Sequence, residues 1–189
     1  MKTLERGFKA WAERTSLILR KELEIKSDEQ LNLAKLAEYL NVKIWTPNDI
    51  PGITDDVITE LLEVSPNNWY GIGLQFGKQG IVIYNPKQSA RRQASDIAHE
   101  LAHFLLEHQP AKLILSSNEP LEEVWMRSFD QKQEDEANCL AWSLLLPRDG
   151  LIRSLHRMTE AEIAEHYGVS EQLVKFRINS TGIKKQIKY

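Results

Sequence analysis

The sequence predicts an α+β fold: a mostly helical single domain with a small antiparallel β-sheet packed beside the helix that carries an H-E-x-x-H motif. Three observations predict it. Most apolar residues recur at helical spacing, in runs separated by short polar punctuation. Residues 42–46 and 69–84 have instead the density of β-branched and aromatic side chains expected of strands. The 189 residues, 42% hydrophobic and 27% charged, suffice for one sizeable core and are few for two.

Taken in order, Leu4 to about Glu22 reads as a helix with a ragged apolar face of Phe8, Trp11, Ala12, Leu17 and Leu19. Ser27 or Asp28 can cap a second helix running to Leu40, with Leu31, Leu33, Leu36 and Ala37 inward. Asn41 closes it, and a short strand follows to Pro47. Pro51 and Gly52 make a turn before a third helix, Thr54 to Glu63. Trp69 to Phe76 reads as a strand with Tyr70, Ile72, Leu74 and Phe76 on one face and Gly71, Gly73 and Gln75 on the other. Gly77–Gly80 is a hairpin turn, and Ile81–Tyr84 returns as a second strand. Ser89 caps a helix running to His108, which buries Ile97, Leu101, Phe104 and Leu105. Ser116 to Asp130 reads as a polar loop, and the next helix runs from near Gln133 to Pro147. Thr159 to Ile178 reads as helix, turn, helix, with Gly168 in the turn and Ser170 capping the second helix.

Composition narrows the partners. A net charge of −3 provides no general attraction to nucleic acid or anionic lipid, and no apolar run approaches the ~20 residues that span a bilayer. Residues 1–20 lack a signal-peptide core, and Cys139 is the sole cysteine, so no intramolecular disulfide forms and the cytoplasm is the expected compartment.

The chemistry concentrates in HELAH, residues 99–103. His99 and His103 stand four apart on one helix face, with both imidazoles aimed at one point, and Glu100 lies beside them. Two imidazoles so placed suit a tetrahedral zinc, and the adjacent glutamate suits a general base for metal-activated water. A catalytic zinc takes a third protein ligand. The candidates are the other histidines, Cys139 and the acids of the later helix. His108, five residues past His103, points off the metal face. Cys139 is rotated about 140° from Glu134. Glu134 is favoured by Asn138, one turn on, which could orient a ligating histidine; Asp135 and Glu136 point about 100° and 200° away. Helix-dipole compensation alone also accounts for acids in this turn.

HELAH, followed by E-D-E-A-N at 134–138 and L-A-W-S-L-L-L-P at 140–147, resembles the ImmA/IrrE family of gluzincin-like zinc metallopeptidases. The likeness extends to residues 36–44, 81–86, Arg92, 167–170 and Arg177; Leu140 and Leu146 replace the family's usual Phe and Met. The resemblance implies one Zn2+ per chain held by His99, His103 and Glu134, with Glu100 as catalytic base. It further implies a zincin-like catalytic domain over residues 1–147, made of an N-terminal helical part (1–68) and a zinc-binding core (69–147). Residues 148–189 would form a helix-turn-helix-like extension packed on it. The expected substrate is a helix-turn-helix transcriptional repressor, cleaved to relieve repression in a stress response.

Two other readings compete: a DNA-binding regulator built on the C-terminal helices, and a non-catalytic partner of a repressor. Four acids between Glu160 and Glu171 oppose phosphate contact, and Lys175, Arg177, Lys184, Lys185 and Lys188 only about balance them, so direct DNA binding is not expected. An intact Glu100 argues against both. Tyr167 and Arg177 are candidate substrate or oxyanion contacts, with core packing and a structural ion pair as the plainer roles.

Overall fold

The computed structural model describes residues 4–108, 111–113, 124–126 and 130–183. Lys184, Lys185 and Lys188 and most of the loop expected over 116–130 lie outside the described residues.

Helix α1 (Phe8–Glu22) starts after Gly7, whose φ of 93° turns the chain into the first turn. Helix α2 (Leu33–Tyr39) begins later than Ser27 or Asp28 would place it, because Asn32 is the cap and accepts from the Lys35 N–H. Strand β1 (Val42–Trp45) follows, then α3 (Asp55–Thr59), which runs on as one π turn to Val64. Strands β2 (Gly71–Phe76) and β3 (Gln79–Tyr84) form the predicted hairpin; its two-residue turn has Gly77 at a φ of 56° in the first central position.

Helix α4 (Ala90–Leu105) carries HELAH and is capped by Ser89 as predicted. Two short strands not anticipated from sequence, β4 (Ala111–Leu113) and β5 (Val124–Met126), precede α5 (Gln131–Leu145), whose cap Asp130 accepts from Lys132 and Gln133. Helix α6 (Arg148–Leu155) was likewise not anticipated. Helices α7 (Glu160–Tyr167) and α8 (Glu171–Ser180) flank a left-handed Gly168, with Ser170 capping α8.

The class is α+β, as predicted, with the sheet against α4. The sheet is mixed, in the order β1-β3-β2-β5-β4: β3 is antiparallel to β2 but parallel to β1. Strand β3 is therefore interior, which explains its unbroken apolar run. Strand β2 pairs with β5 only through Leu74 and Gln75, leaving residues 71–73 unpaired on that side among the described residues. Gly71 faces α4, where an added Cβ would stand 3.6 Å from Asp96 Cβ and 3.7 Å from Glu100 Cγ.

Helix α5 packs between α4 and α1. The buried Arg20 of α1 donates to the carbonyls of Leu144, Lys26 and Glu29, each at 2.8 Å, so a cation sits at the C-terminal end of the α5 dipole. Burial lowers its pKa to about 10, still cationic at neutral pH. No helix among the described residues is long and apolar enough to cross a membrane.

Candidate metal centre

Two helices bring the donors together. On α4 the four-residue spacing stacks His99 over His103, with ring centroids 4.7 Å apart. Helix α5 crosses α4 and brings Glu134 to the same point. His99 Nε2 lies 3.1 Å from His103 Nε2; Glu134 Oε2 is 3.1 Å from the first and Oε1 3.3 Å from the second. Donors on a tetrahedral zinc with bonds of about 2.0–2.1 Å stand about 3.3–3.4 Å apart, and the Nε2–Nε2 separation, with one Glu134 oxygen near each imidazole, is compatible with such a spacing. The three side chains can hold a metal ion.

His103 is 1% exposed. Its burial, aided by His99 and His108 and opposed by Glu134, pushes its pKa down to about 3. The ring is therefore neutral near pH 7, as a metal ligand must be. Glu100 is buried, and its carboxylate-bearing side chain lines the same open cavity of about 410 Å³ as His99 and Glu134.

The rest of that cavity wall comprises Tyr70 and Gly71 from β2 and its approach, Arg92, Ser95 and Asp96 from α4, and Asn138 and Trp142 from α5. Arg92 bonds Asp96 (3.0 Å) and lies over the Tyr70 ring at 4.1 Å. Burial raises the Asp96 pKa against the opposing pull of Arg92. Asn138 sits on the wall one turn from Glu134, as its spacing predicts, yet it makes no hydrogen bond to either imidazole. The second nitrogen of His103 is taken by His108 instead: the two Nδ1 atoms are 2.8 Å apart, and His108 Nε2 is 3.2 Å from Glu136 Oε2.

The sequence excludes His108 as a ligand, and it is not among the three donors; its place behind His103 is what a helical extrapolation misses. Helix α4 ends at Leu105, so the helical rotation does not apply. The signal that was available is the pair itself, a histidine just past the motif and a second glutamate in E-D-E-A-N.

The two C-terminal candidates lie elsewhere. Tyr167 is 1% exposed and its hydroxyl donates to the Ser27 carbonyl at 3.2 Å beside Ser154. Arg177 is buried, donates to the Leu146 carbonyl at 3.0 Å and pairs with Glu13 at 2.5 Å. It faces a second, smaller cavity between α1, α5 and α8, walled by Trp142 and Phe176. Neither lines the metal cavity, and Arg177 is not displayed to a phosphate backbone. Cys139 is buried, as its rotation from Glu134 predicts, and burial raises its thiol pKa.

No curated protein sequence matches the chain significantly. The profile of the IrrE N-terminal-like domain, peptidase M78, matches residues 56–179, a span that contains α4, α5 and every donor described above. With two-thirds of its length matched and the donor triad assembled inside the match, the chain belongs to the peptidase M78 (IrrE N-terminal-like) family of metallopeptidases.

Proposed function

We propose that this protein is a zinc-dependent endopeptidase of the cytoplasm that cleaves a helix-turn-helix transcriptional repressor and so relieves repression in a stress response. The observation that carries the catalytic part is the shared cavity: His99, Glu134 and the Glu100 side chain line one space, and the buried His103 completes the donor triad. The repressor and its regulatory setting are supported by the likeness to the ImmA/IrrE family.

In this reading His99, His103 and Glu134 hold one zinc ion. Bound there, zinc would supply a Lewis acid for the scissile carbonyl and bring the pKa of water towards ~7. Glu100 takes the proton from the attacking water and passes it to the leaving amine, so one carboxylate serves both halves of the hydrolysis. The substrate backbone adds along residues 71–73 of β2, which have no partner on the β5 side among the described residues, and main-chain hydrogen bonds align it past the donors. Strand β3 plays no such part, because Gly80–Ile83 pair with both β1 and β2.

The test compares wild type with Glu100→Gln, which keeps the size of the side chain and removes the base. Each is co-expressed with a helix-turn-helix repressor encoded beside it, and repressor mass is followed by mass spectrometry. Cleavage by wild type alone, with equal zinc in both proteins, supports the reading. Equal cleavage by both removes Glu100 from the mechanism, and cleavage by neither favours a non-catalytic partner.

A further inference from the structure

Only one of the two ring nitrogens of His103 can face a metal, and the structure contains what decides which. Nε2 points at His99 and Glu134, 3.1 and 3.3 Å away. Nδ1, on the opposite side of the ring, is 2.8 Å from Nδ1 of His108, and Nε2 of His108 is 3.2 Å from Oε2 of Glu136. A carboxylate only accepts, so Nε2 of His108 carries that ring's proton. A neutral imidazole has a single N–H, so Nδ1 of His108 is bare and accepts. With His108 neutral, the proton between the two Nδ1 atoms belongs to His103, and the lone pair of its Nε2 faces the donor cluster. Glu134 Oε1, 3.3 Å from that Nε2, competes for the same proton only until a metal occupies the Nε2 side.

We propose that Glu136 and His108 are positioning residues, which fix His103 in the tautomer and ring orientation that a metal at this centre requires. The inference rests on the reading of His103 as a ligand. It gives Glu136 a task distinct from that of Glu134 two residues earlier.

The fold is built to hold the arrangement. Helix α4 stops through a paired closure: the Glu107 N–H donates to the Phe104 carbonyl (3.1 Å) and the His108 N–H to the His103 carbonyl (3.2 Å). This closure needs a left-handed residue, and it folds the residue after it back over the last turn. The left-handed residue is Glu107, with φ 51°, where glycine would be the unstrained choice; the residue folded back is His108, over His103. The side chains of His108 and Glu136 are 7% and 14% exposed, so water competes little for their bonds. Lys132, one turn before Glu136, lies 3.9 Å from its other oxygen and bonds Glu5 at 2.6 Å. Glu136 is the sixth residue of α5, beyond the first turn in which an acid complements the helix dipole.

The experiment uses the full chain with Glu136→Met, Glu136→Gln and His108→Phe. Two quantities are measured: the zinc dissociation constant, by competition with a chromogenic chelator, and the tautomer of His103 in metal-free protein, by long-range 1H–15N NMR of the imidazoles. Wild type should show the Nδ1–H form of His103. Glu136→Met should weaken zinc ~10–100-fold and mix the tautomers, with His108→Phe at least as severe. Glu136→Gln, whose amide oxygen still accepts from His108, should retain most of both. The Gln variant preserves shape, so it remains informative if Met or Phe fails to fold. Wild-type tautomer and affinity in Glu136→Met and His108→Phe would overturn the proposal. So would equal affinity loss in Met and Gln with the tautomer unchanged, which marks a packing role. If wild type itself bound no zinc while the tautomer followed the predicted order, the ligand reading would fail and the relay would stand.

Discussion

Replacing Glu134 with alanine removes a carboxylate whose two oxygens approach both imidazoles, at 3.1 and 3.3 Å. It should cost far more zinc affinity than any change behind the ligands. Structural zinc sites with four protein ligands bind with about 10–16 kcal/mol at neutral pH, so one ligand is worth on the order of 3–4 kcal/mol. At about 1.4 kcal/mol per decade, Glu134→Ala should weaken zinc ~10²–10³-fold. Removing an outer partner such as Glu136 should cost ~10–100-fold, leaving a gap of about one decade between the two acids. The assay is chelator competition on metal-free protein, with elemental analysis of the protein as purified. Circular dichroism would confirm that both variants fold. A larger loss in Glu136→Ala than in Glu134→Ala would refute the assignment, because only a direct ligand can be the more costly to remove.

Three further outcomes follow from particular contacts. Glu107→Gly relieves a left-handed non-glycine residue and should stabilise the protein by ~0.5–1 kcal/mol, seen as a Tm higher by about 2 °C; a lower Tm would contradict the helix stop described for α4. Gly80→Ala sets a Cβ 2.9 Å from both Phe104 Cε1 and Val42 Cγ2 and should destabilise by ~1–3 kcal/mol in urea titration, whereas Gly71→Ala, with its nearest atom at 3.6 Å, should cost under ~1 kcal/mol; the reverse order would misplace α4 on the sheet. The Cys139 thiol is buried and its pKa is raised by desolvation, so its native thiolate fraction at pH 8 falls below that of a free cysteine; it should resist a disulfide reagent until the chain unfolds, and rapid native labelling would show that α5 is not packed as described.

The parts of the fold legible from sequence are those with a long period and a marked end. Helix α4 declares itself by Ser89 and an apolar stripe through Leu101, α8 by Ser170, and the hairpin by Gly77. The donors His99, His103 and Glu134 were legible because a helix converts spacing into direction. Strands β4 and β5 span three residues each, too few for any periodicity to register. Helix α6 was hidden by Gly150, which reads as a breaker. A Cβ there would lie 1.9 Å from the Ser27 carbonyl oxygen and 2.5 Å from the Tyr167 hydroxyl, so tertiary contact demands the glycine and overrides helix propensity. The parallel pairing of β1 with β3 is likewise a tertiary choice, written in no local pattern.

The same limit explains why the contact of His108 with His103 was not legible, although its exclusion from the donors was, and shows how the centre is held. Direction along a helix can be extrapolated only as far as the helix lasts, and the residues just beyond a helix stop are redirected by one backbone torsion. Here that torsion, at Glu107, turns a histidine that a helical wheel sends away from the site into the neighbour of His103. The other donor-bearing helix is fixed by means equally remote from its own periodicity. Asp130 caps its start, and Arg20, 124 residues before Leu144, holds the carbonyls at its end. Between these ends, fully buried alanines a turn apart on each helix, Ala98 and Ala102 on α4 and Ala137 and Ala141 on α5, suit a close approach of the two axes. The 3.1–3.3 Å spacing of the donors is therefore a property of how two helices are anchored, which is why a pattern can name the donors while only packing can space them.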